Sequence, residues 1–424
     1  MESLAAQNPR PWRWVPSLYF AQGLPYVVVV ALSVPLYKKL GVSNADLAFY
    51  TSWLYLPWVI KPLWAPFVDH WRTKRGWITT LQFVLAVGFA GLGLTIPGPD
   101  FFRWSLIIFW LLAFAGATHD IASDGFYLLA LSPPDQAAWV GIRSTFFRFA
   151  NIAGQGGLVY LAGALEESTG RVHTAWAWVF APPAVIFLLV AAYHRLSLPR
   201  PAADGPTGRG AGATVDWLAA FGSFFRKKEI GYALAFLLLY RLGESQLLKL
   251  VQPFLLDARA AGGLGLTTKQ AGLAYGTFGI IALTAGGLFG GPAIARFGLR
   301  RMLWPMLLSV HLPNLAYVAL AWLRPDNFGA VCAAVAVEQF GYGFGFTAYV
   351  VYMMLLAEGE HRTAHYAICT GFMALGMMLP GMVAGWMQER LGYPNFFLWV
   401  IACTIPSFVA TALVRIPEGY GKKG

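Results

Sequence analysis

The sequence predicts an all-α membrane protein of 12 transmembrane helices, arranged as two six-helix, pseudo-symmetric halves. Composition is the first observation behind this prediction. Of the 424 residues, 57% are hydrophobic and only 12% are charged, whereas a soluble globular domain carries roughly 25% charged residues. The second observation is the recurrence of uncharged windows such as 15–37, 77–99 and 391–414. Each window reaches the about 20 apolar residues that a helix needs to cross a bilayer.

The apolar pattern also sets the expected domain organisation. An N-terminal segment 1–14 precedes a bundle at 15–195, a linker at 196–229, a second bundle at 230–415 and a tail at 416–424. Because the number of spans is even, both termini are expected on the same side of the membrane. The predicted spans lie near 15–37, 45–66, 77–97, 104–131, 138–164, 174–195, 230–256, 268–293, 301–323, 328–356, 363–387 and 394–415.

The distribution of Lys and Arg assigns a side to the termini. Eighteen of these cations fall in segments or span ends on the side of the termini, eight on the opposite side and five in the interior of spans, which accounts for all 31. Since cytoplasmic loops of membrane proteins carry the excess of Lys and Arg, both termini and the linker are expected in the cytoplasm. The net charge of +11 is then mainly a topology signal. No basic soluble domain exists that would predict nucleic-acid binding.

The linker combines two kinds of sequence. Residues 197–214 are rich in Pro, Gly and Ala, which is typical of a flexible connection. Residues 215–228 place five large apolar side chains on one helical face and end in cations, which predicts an interfacial helix on the cytoplasmic leaflet. The alternative is an N-terminal extension of the seventh span. The five side chains are Trp217, Leu218, Phe221, Phe224 and Phe225.

Nine charged side chains lie inside the predicted spans, more than two residues from either end of a span. An ionised side chain at the centre of a bilayer costs at least about 2.5–3.5 kcal/mol on insertion scales. These groups are therefore expected to line an internal aqueous path or a binding cavity, which predicts a transporter. The nine residues are Lys61, Asp120, Asp124, Arg143, Arg148, Arg241, Glu244, Lys249 and Glu338.

Two acids and two arginines form the candidate site of the first half. Asp120 and Asp124 are four residues apart and share one helical face. Close carboxylates disfavour double ionisation, so one is expected to bind a proton, as a proton-coupled symporter requires. A permanent pair with a cation of a neighbouring span is the alternative. Arg143 and Arg148 are five residues apart, about 140° around the helix, and are not expected to share a partner. Arg143 is predicted to be an Asp partner or a substrate clamp.

The remaining candidates are less tightly defined. Arg241 and Glu244 are three residues apart and can pair along one helix, and Glu338 is the acid deep in the last three spans. Lys61 has two interpretations, since a lysine near a span end also snorkels to the interface. The candidate substrate-binding residues are Arg143, Arg148, Arg241, Lys61, Gln246 and Tyr127, and the candidate proton-coupling residues are Asp120, Asp124, Glu244 and Glu338.

Several motifs resemble one family of transporters. ATHDIASDG at 117–125 is similar to the A-T-x-D-I-x-x-D-G/A pattern of the peptide and acetyl-coenzyme A transporter family, which includes the AmpG-type muropeptide permeases. FAQGLP at 20–25 and KPLWAPFVD at 61–69 also resemble those permeases. DHWRTKRG at 69–76 resembles a degenerate loop 2–3 signature of the major facilitator superfamily. The resemblance covers most of residues 18–165 and is vaguer beyond them. The chain has no room for two extra central spans that several muropeptide permeases carry.

The resemblance implies a major facilitator fold in a bacterial inner membrane. It favours a secondary active transporter, a proton-coupled symporter that imports a bulky anionic solute such as an anhydro-muropeptide by alternating access. At the cytoplasmic loop 2–3, Asp69, Arg72 and Arg75 are expected to act in gating. The expected partners are the anionic solute, protons and membrane lipids, with a monomeric protein and neither a cofactor nor a metal.

Alternative functions follow from the same residues. Another anion, such as a coenzyme A thioester, a peptide or a siderophore, is the alternative within transport. The alternatives of another class are a membrane-embedded enzyme and a non-transporting sensor. The sequence has no G-x-x-x-x-G-K-[ST] motif, so ATP hydrolysis by this chain is not expected. His311, His361 and His365 do not converge on a catalytic or metal pattern, and the three cysteines lack metal-ligand spacing.

Overall fold

The computed structural model describes residues 11–131, 133–201, 204, 217–359 and 362–422, and every regular element in these ranges is helical. A few side chains within helices, including those of Asp69, Trp217, Leu218 and Arg362, lie outside the description. The α-helices in chain order are α1 (Val15–Val27), α2 (Ser33–Lys39), α3 (Asn44–Trp53), α4 (Leu56–Trp71), α5 (Lys74–Thr95), α6 (Phe101–Ala130), α7 (Pro133–Asn151), α8 (Val159–Thr169), α9 (Val172–Trp178), α10 (Ala181–Ser197), α11 (Trp217–Phe225), α12 (Ile230–Leu239), α13 (Leu242–Leu256), α14 (Thr268–Ala271), α15 (Ile280–Phe297), α16 (Leu299–His311), α17 (Leu315–Leu323), α18 (Phe328–Leu356), α19 (Arg362–Ala402) and α20 (Ile405–Leu413).

Several predicted spans are built from more than one helix. Segments of π-helix at Val28–Leu32, Ile152–Leu158 and Gly272–Gly279 continue α1, α7 and α14 into the next helix. Such wider turns are a common cause of helix bending. Gly392 interrupts α19 with φ 69° and ψ 164°, so two helices meet there. The break lies between the last two predicted spans, 363–387 and 394–415.

Hydroxyl side chains begin three of the helices. Ser43 accepts a hydrogen bond from the backbone N–H of Asp46 at the start of α3, and Thr73 accepts one from Gly76 at the start of α5. Thr267 and Gln270 form a reciprocal capping box at the start of α14. These caps satisfy N–H groups that a helix leaves without partners in its first turn.

Seven helical runs in the described part of the chain are long and apolar enough to cross a membrane. Apolar side chains also cover much of the surface of these runs, with Leu94, Leu188 and Leu323 each more than half exposed. Soluble proteins rarely expose large apolar patches. The seven runs are Pro11–Lys39, Lys74–Thr95, Phe101–Ala130, Val172–Ser197, Thr268–Phe297, Leu299–Leu323 and Ala364–Leu413.

The chain folds into two compact units whose segments alternate along the sequence. The first unit has a core around Trp14, Leu18 and Phe126, and the second has a core around Phe236 and Tyr349. Residues 32–62 and 155–164 belong to the second unit, although the predicted boundary placed them in the first bundle. The first unit comprises the described residues of Met1–Ala31, Leu63–Gly154 and Leu165–Gly212, and the second comprises those of Leu32–Pro62, Gln155–Ala164 and Ala213–Gly424.

Close backbone crossings hold these early segments in the second unit. A Cβ atom added at Gly385 of α19 would lie 1.8 Å from the backbone oxygen of Asn44, at the start of α3. At Gly276, an added Cβ would lie 2.0 Å from the backbone oxygen of Gln155. Only glycine permits such an approach, which is the usual role of small residues between membrane helices.

The helix predicted in the linker forms as a helix of its own. It ends at Phe225, and the left-handed residue Glu229, with φ 61°, separates it from α12. Phe224 is fully buried, and the Ser223 hydroxyl lies 2.9 Å from Nε2 of His365 on α19. This helix is therefore not an extension of the seventh predicted span.

Candidate functional site

The two acids of α6 face the same side chain of α1 in the first unit. The Gln22 amide nitrogen donates a short hydrogen bond to Asp120 and a second one, of 3.3 Å, to Asp124. The Tyr19 hydroxyl, one turn away on α1, also donates to Asp124 over 3.3 Å. The four-residue spacing of Asp120 and Asp124 on α6 therefore brings both carboxylates to one polar surface, as the sequence predicts.

Arg143 of α7 completes this group. Its Nη2 lies 2.9 Å from Oδ1 of Asp124, and its guanidinium carbon lies 4.5 Å from the ring centroid of Tyr19 and 5.4 Å from that of Tyr127. The side chains of Arg143 and Asp124 are 32% and 38% exposed. An ion pair this open, stacked on aromatic rings, leaves the flat guanidinium within reach of a solute.

The structure decides which aspartate pairs with Arg143. The sequence left open whether that partner is Asp120 or Asp124, and the 2.9 Å contact is made by Asp124. Arg148 has neither a hydrogen-bond nor an ion-pair partner among the described residues and is half-buried. The two arginines therefore do not share a partner, as their angular separation predicts. Lys61 is half-buried on α4, in the second unit.

A second arginine–carboxylate pair lies in the second unit, where the chain breaks between α12 and α13. Arg241 donates to both Glu244 oxygens, over 2.9 and 2.7 Å, and to the Tyr342 hydroxyl over 2.9 Å. Its guanidinium carbon also lies 5.0 Å from the ring centroid of Phe346. Both charged side chains are almost fully buried, at 8% and 1% exposure. The pair combines a bidentate hydrogen bond with aromatic packing.

Glu338 lies in a hydrogen-bonded group of neutral side chains on α17, α18 and the π segment Gly272–Gly279. Its Oε2 accepts from the Tyr317 hydroxyl over 3.3 Å and from the Gln339 amide over 2.9 Å. The same amide donates to the Tyr275 hydroxyl over 3.2 Å. Glu338 is 1% exposed, and no Lys or Arg lies within ion-pairing distance of it in the described part of the chain.

Gln246 of α13 was predicted to bind substrate, and its amide is occupied by neighbouring side chains. Its nitrogen donates to Sγ of Cys403 over 3.2 Å, and its oxygen accepts from the Trp399 indole over 2.9 Å. These contacts satisfy a buried amide and fix α13 against α19 and the residues that follow it.

The residues predicted to gate the cytoplasmic side make their described contacts within the first unit. Arg72 is exposed and donates to the Thr80 hydroxyl over 3.0 Å. Arg75 donates a short hydrogen bond to the backbone oxygen of Arg195. Its backbone N–H, together with that of Lys74, donates to the carboxylate of Asp204. The side chain of Asp69 lies outside the described residues, so its gating role stays a prediction.

A buried histidine group in the first unit was not predicted from the sequence. The Gln82 amide of α5 lies 3.0 Å from Nε2 of His119 and 2.9 Å from Nδ1 of His194, and Ser17 bonds the other ring nitrogen of His194 over 2.8 Å. These contacts join α1, α5, α6 and α10. Single polar residues in otherwise apolar spans are the only sequence signal for such a group, and their long separation along the chain hides the pairing.

The contacts of the two arginine–carboxylate pairs predict different costs of disrupting them. Arg241→Met should lower the free energy of unfolding by about 3–5 kcal/mol, because it leaves Glu244 buried without its cation. Adding Glu244→Leu should recover most of that loss. Arg143→Met should cost less, because solvent reaches both members of its pair. Thermal unfolding of the purified variants in detergent measures these differences. A double variant no more stable than Arg241→Met alone would contradict the argument.

Comparison with known proteins agrees with this architecture. The sequence pattern of the Major Facilitator Superfamily matches residues 248–423. The anhydromuropeptide permease of Escherichia coli (strain K12) is 26% identical over 408 residues, covering 94% of this chain and 78% of the permease. A Rickettsia conorii protein that carries the transporter name AmpG 4 is 23% identical over 410 residues, covering 92% and 93% of the two chains.

The fold is shared with solved transporters. The crystal structure of a D-xylose–proton symporter superposes with a TM-score of 0.74 at 11% identity, covering 97% of this chain and 98% of the symporter. At this identity the likeness concerns the fold alone. The sequence relatives extend over nearly all of this chain, and they are permeases and transporters rather than enzymes. The chain therefore has the fold of membrane transporters, is similar to AmpG-type permeases over nearly all of its length, and matches the Major Facilitator Superfamily at residues 248–423.

Proposed function

We propose that this protein is a proton-coupled symporter that imports a bulky anionic solute, with anhydro-muropeptides as the leading substrate class. The observation that carries the proposal is the group formed by Arg143, Asp124, Asp120 and Gln22. It places a guanidinium beside two carboxylates, all partly open to solvent. The relative from Escherichia coli is named for transport of anhydromuropeptides.

Aromatic rings beside each arginine favour a solute that carries both sugar and charge. Tyr19 and Tyr127 flank Arg143, and Tyr342 and Phe346 flank Arg241. A guanidinium recognises a carboxylate through two parallel hydrogen bonds, and aromatic faces pack against the apolar faces of sugar rings. An anhydro-muropeptide, which joins sugars to a peptide with free carboxylates, has both features.

The proton-coupling step is proposed for the aspartate pair. Arg143 is committed to Asp124, so ionisation of Asp124 is supported by its partner. Proton uptake at Asp120 then removes a repulsion between two negative charges on one helical face. An arriving anion that draws Arg143 away from Asp124 changes the charge that the two aspartates experience. Solute binding is thereby linked to proton binding. Glu244 and Glu338 are the next candidate proton sites.

Uptake of labelled anhydro-muropeptide into proteoliposomes tests this function. With an imposed proton gradient, the wild-type protein should accumulate the solute. Asp120→Asn should abolish accumulation yet preserve solute exchange, because exchange requires no net proton movement. Asp124→Asn should weaken solute binding as well, because it releases Arg143.

Two results would contradict the coupling proposal. Accumulation by both single Asn variants would place the proton site elsewhere. A wild-type protein that takes up a coenzyme A thioester, a plain peptide or a siderophore instead of the muropeptide would overturn the substrate assignment while leaving anion transport intact.

Alternating access is supported by a latch within the second unit, at the ends of α2 and α13 and the start of α3. Lys38 pairs with Asp257 over 2.6 Å and donates to Asn44 over 2.8 Å. The Asn44 amide donates to Gln388 over 2.6 Å, and the Tyr393 hydroxyl donates to Asp257 over 2.6 Å. Residues near the start of the chain thereby bind residues from its second half. We propose that this latch closes the face opposite the termini and must open during transport.

Gly385→Ala tests the latch. The added methyl group would overlap the Asn44 backbone oxygen, so the crossing must widen, at a cost of about 1–3 kcal/mol for overpacking. The melting temperature and the uptake rate should both fall. Gly291→Ala is the matched control, because an added Cβ there meets nothing within 4 Å. Equal melting temperature and uptake for the two variants would exclude a role for the crossing.

We further propose 12 membrane crossings, with both termini and the linker in the cytoplasm of a bacterial inner membrane. The distribution of 18 cations against eight supports this orientation. A cysteine placed at Gly208, in a variant without the native cysteines, should react with a membrane-impermeant maleimide only after the inner membrane is permeabilised. Labelling from the periplasmic face of intact cells would contradict the topology.

A further inference from the structure

Lys249 of α13 is a buried cation that the proposed coupling mechanism does not use. It is 4% exposed and donates one hydrogen bond, of 3.0 Å, to the Thr51 hydroxyl of α3. Its ammonium nitrogen also lies 5.1 Å from the ring centroid of Tyr55. Within the described ranges, no carboxylate lies within ion-pairing distance of this ammonium. A lysine carries three donors, so a single hydroxyl and a ring face leave it only partly satisfied.

Burial without a counter-ion is costly for such a group. Moving an ammonium out of water costs several kcal/mol even after the protein relaxes, and the cost is recovered only by a close anion or by several hydrogen bonds. A cation–π contact recovers part of it. The surroundings of Lys249 therefore favour an anion that arrives from outside the chain.

A second buried group beside Lys249 also has unused hydrogen-bonding capacity. The Ser52 hydroxyl of α3 is fully buried and has no hydrogen-bond partner among the described residues. A Cβ atom added at Gly381 of α19 would lie 2.8 Å from Ser52 Oγ and 3.4 Å from Lys249 Cε. The hydroxyl, the lysine side chain and the glycine thus adjoin one another, and they are packed too closely for a side chain at position 381.

We propose that Lys249, Ser52 and Thr51 form a binding site for a carboxylate group, which enters when α19 moves away from α3 at Gly381. Lys249 supplies the charge and two further donors, and the Ser52 hydroxyl supplies another. Thr51 holds the lysine in position, because its own hydroxyl donates to the backbone oxygen of Leu47 over 2.6 Å. The carboxylate belongs to the transported solute, and that part of the inference rests on the proposed function.

The position of the site links it to the latch. Thr51 lies seven residues beyond Asn44 on α3, and Lys249 lies eight residues before Asp257, so the site is about 10–12 Å along the helices from the latch contacts. Lys249 joins α13 to α3, as the latch does at their ends. A carboxylate bound to Lys249 competes with Thr51 for the ammonium and so weakens one contact between the two helices.

Acetate is the probe for a direct test on the full-length protein in lipid nanodiscs. Sodium acetate is titrated at constant ionic strength against sodium chloride, whose anion lacks the paired oxygens of a carboxylate, and the melting temperature is followed. Acetate should raise the melting temperature of the wild-type protein. Lys249→Met should weaken the apparent acetate affinity at least about tenfold, the loss expected for a hydrogen bond to a charged group. Lys228→Met, which removes an exposed cation of the same unit, is the control and should leave the affinity unchanged.

Ser52→Ala keeps the test decisive if Lys249→Met does not fold. Removing a buried hydroxyl that has no partner should preserve or raise the melting temperature without acetate. The proposal expects the acetate response to fall severalfold in the same variant, which a packing role would not produce. The proposal would be contradicted if acetate did not change the melting temperature of the wild-type protein. An equal shift of the melting temperature in Ser52→Ala and wild type would also contradict it.

Uptake measurements separate this inference from the proposed function. A wild-type protein that fails to accumulate anhydro-muropeptide, yet loses its acetate response in Lys249→Met, retains the carboxylate site and contradicts the proposed function. A wild-type protein that accumulates the solute, with KM and acetate response unchanged in Lys249→Met and Ser52→Ala, contradicts the site alone.

Discussion

An ionised side chain in hydrocarbon must find a partner inside the protein, and this constraint governs where the charges in the spans lie. Removal from water costs several kcal/mol per ion, so each charge is compensated by an opposite charge, by hydrogen bonds or by access to water. Arg241 and Glu244 compensate each other's charge in a buried ion pair. Arg143 and Asp124 form an ion pair that solvent still reaches. Glu338 has neutral donors and Lys249 a single hydroxyl. The degree of compensation therefore distinguishes structural charges from groups able to exchange a proton or bind an anion.

Glycine and helix breaks provide the geometry that the charges need. Gly385 and Gly276 let backbones touch, which brings α3 and the π segment 152–158 against segments of the second half of the chain. Arg241 lies at a break between α12 and α13, where its side chain is free to curl back onto Glu244. In a transporter these features have a second use, because contacts made by small residues and short polar side chains separate at lower cost than an interdigitated apolar core.

Much of the fold was predictable because each helix that crosses a membrane requires a long apolar segment, which is easily recognised in the sequence. Apolar windows and the scarcity of charge predict helices, and helices cover the predicted spans. The shared face of Asp120 and Asp124 follows from helical periodicity alone, whereas the predicted Arg241–Glu244 pair forms at the helix break that places Arg241 just before α13. Choosing Asp124 rather than Asp120 as the partner of Arg143 required the orientation of α7 against α6, which no local pattern encodes. The contacts of His119 with Gln82 and of Lys249 with Thr51 join distant helices, so the sequence could not reveal them.

The central claim is that the charged face of α6 lines a water-accessible path while its opposite face meets lipid. In a variant without native cysteines, the reaction rates of Asp120→Cys and Leu111→Cys with a charged methanethiosulfonate measure this directly. A thiol reacts as its thiolate, which forms only where water reaches the sulfur. The account predicts rapid modification at position 120 and very slow modification at position 111, half a helical turn away around the axis. Equal rates, or faster reaction at position 111, would contradict it.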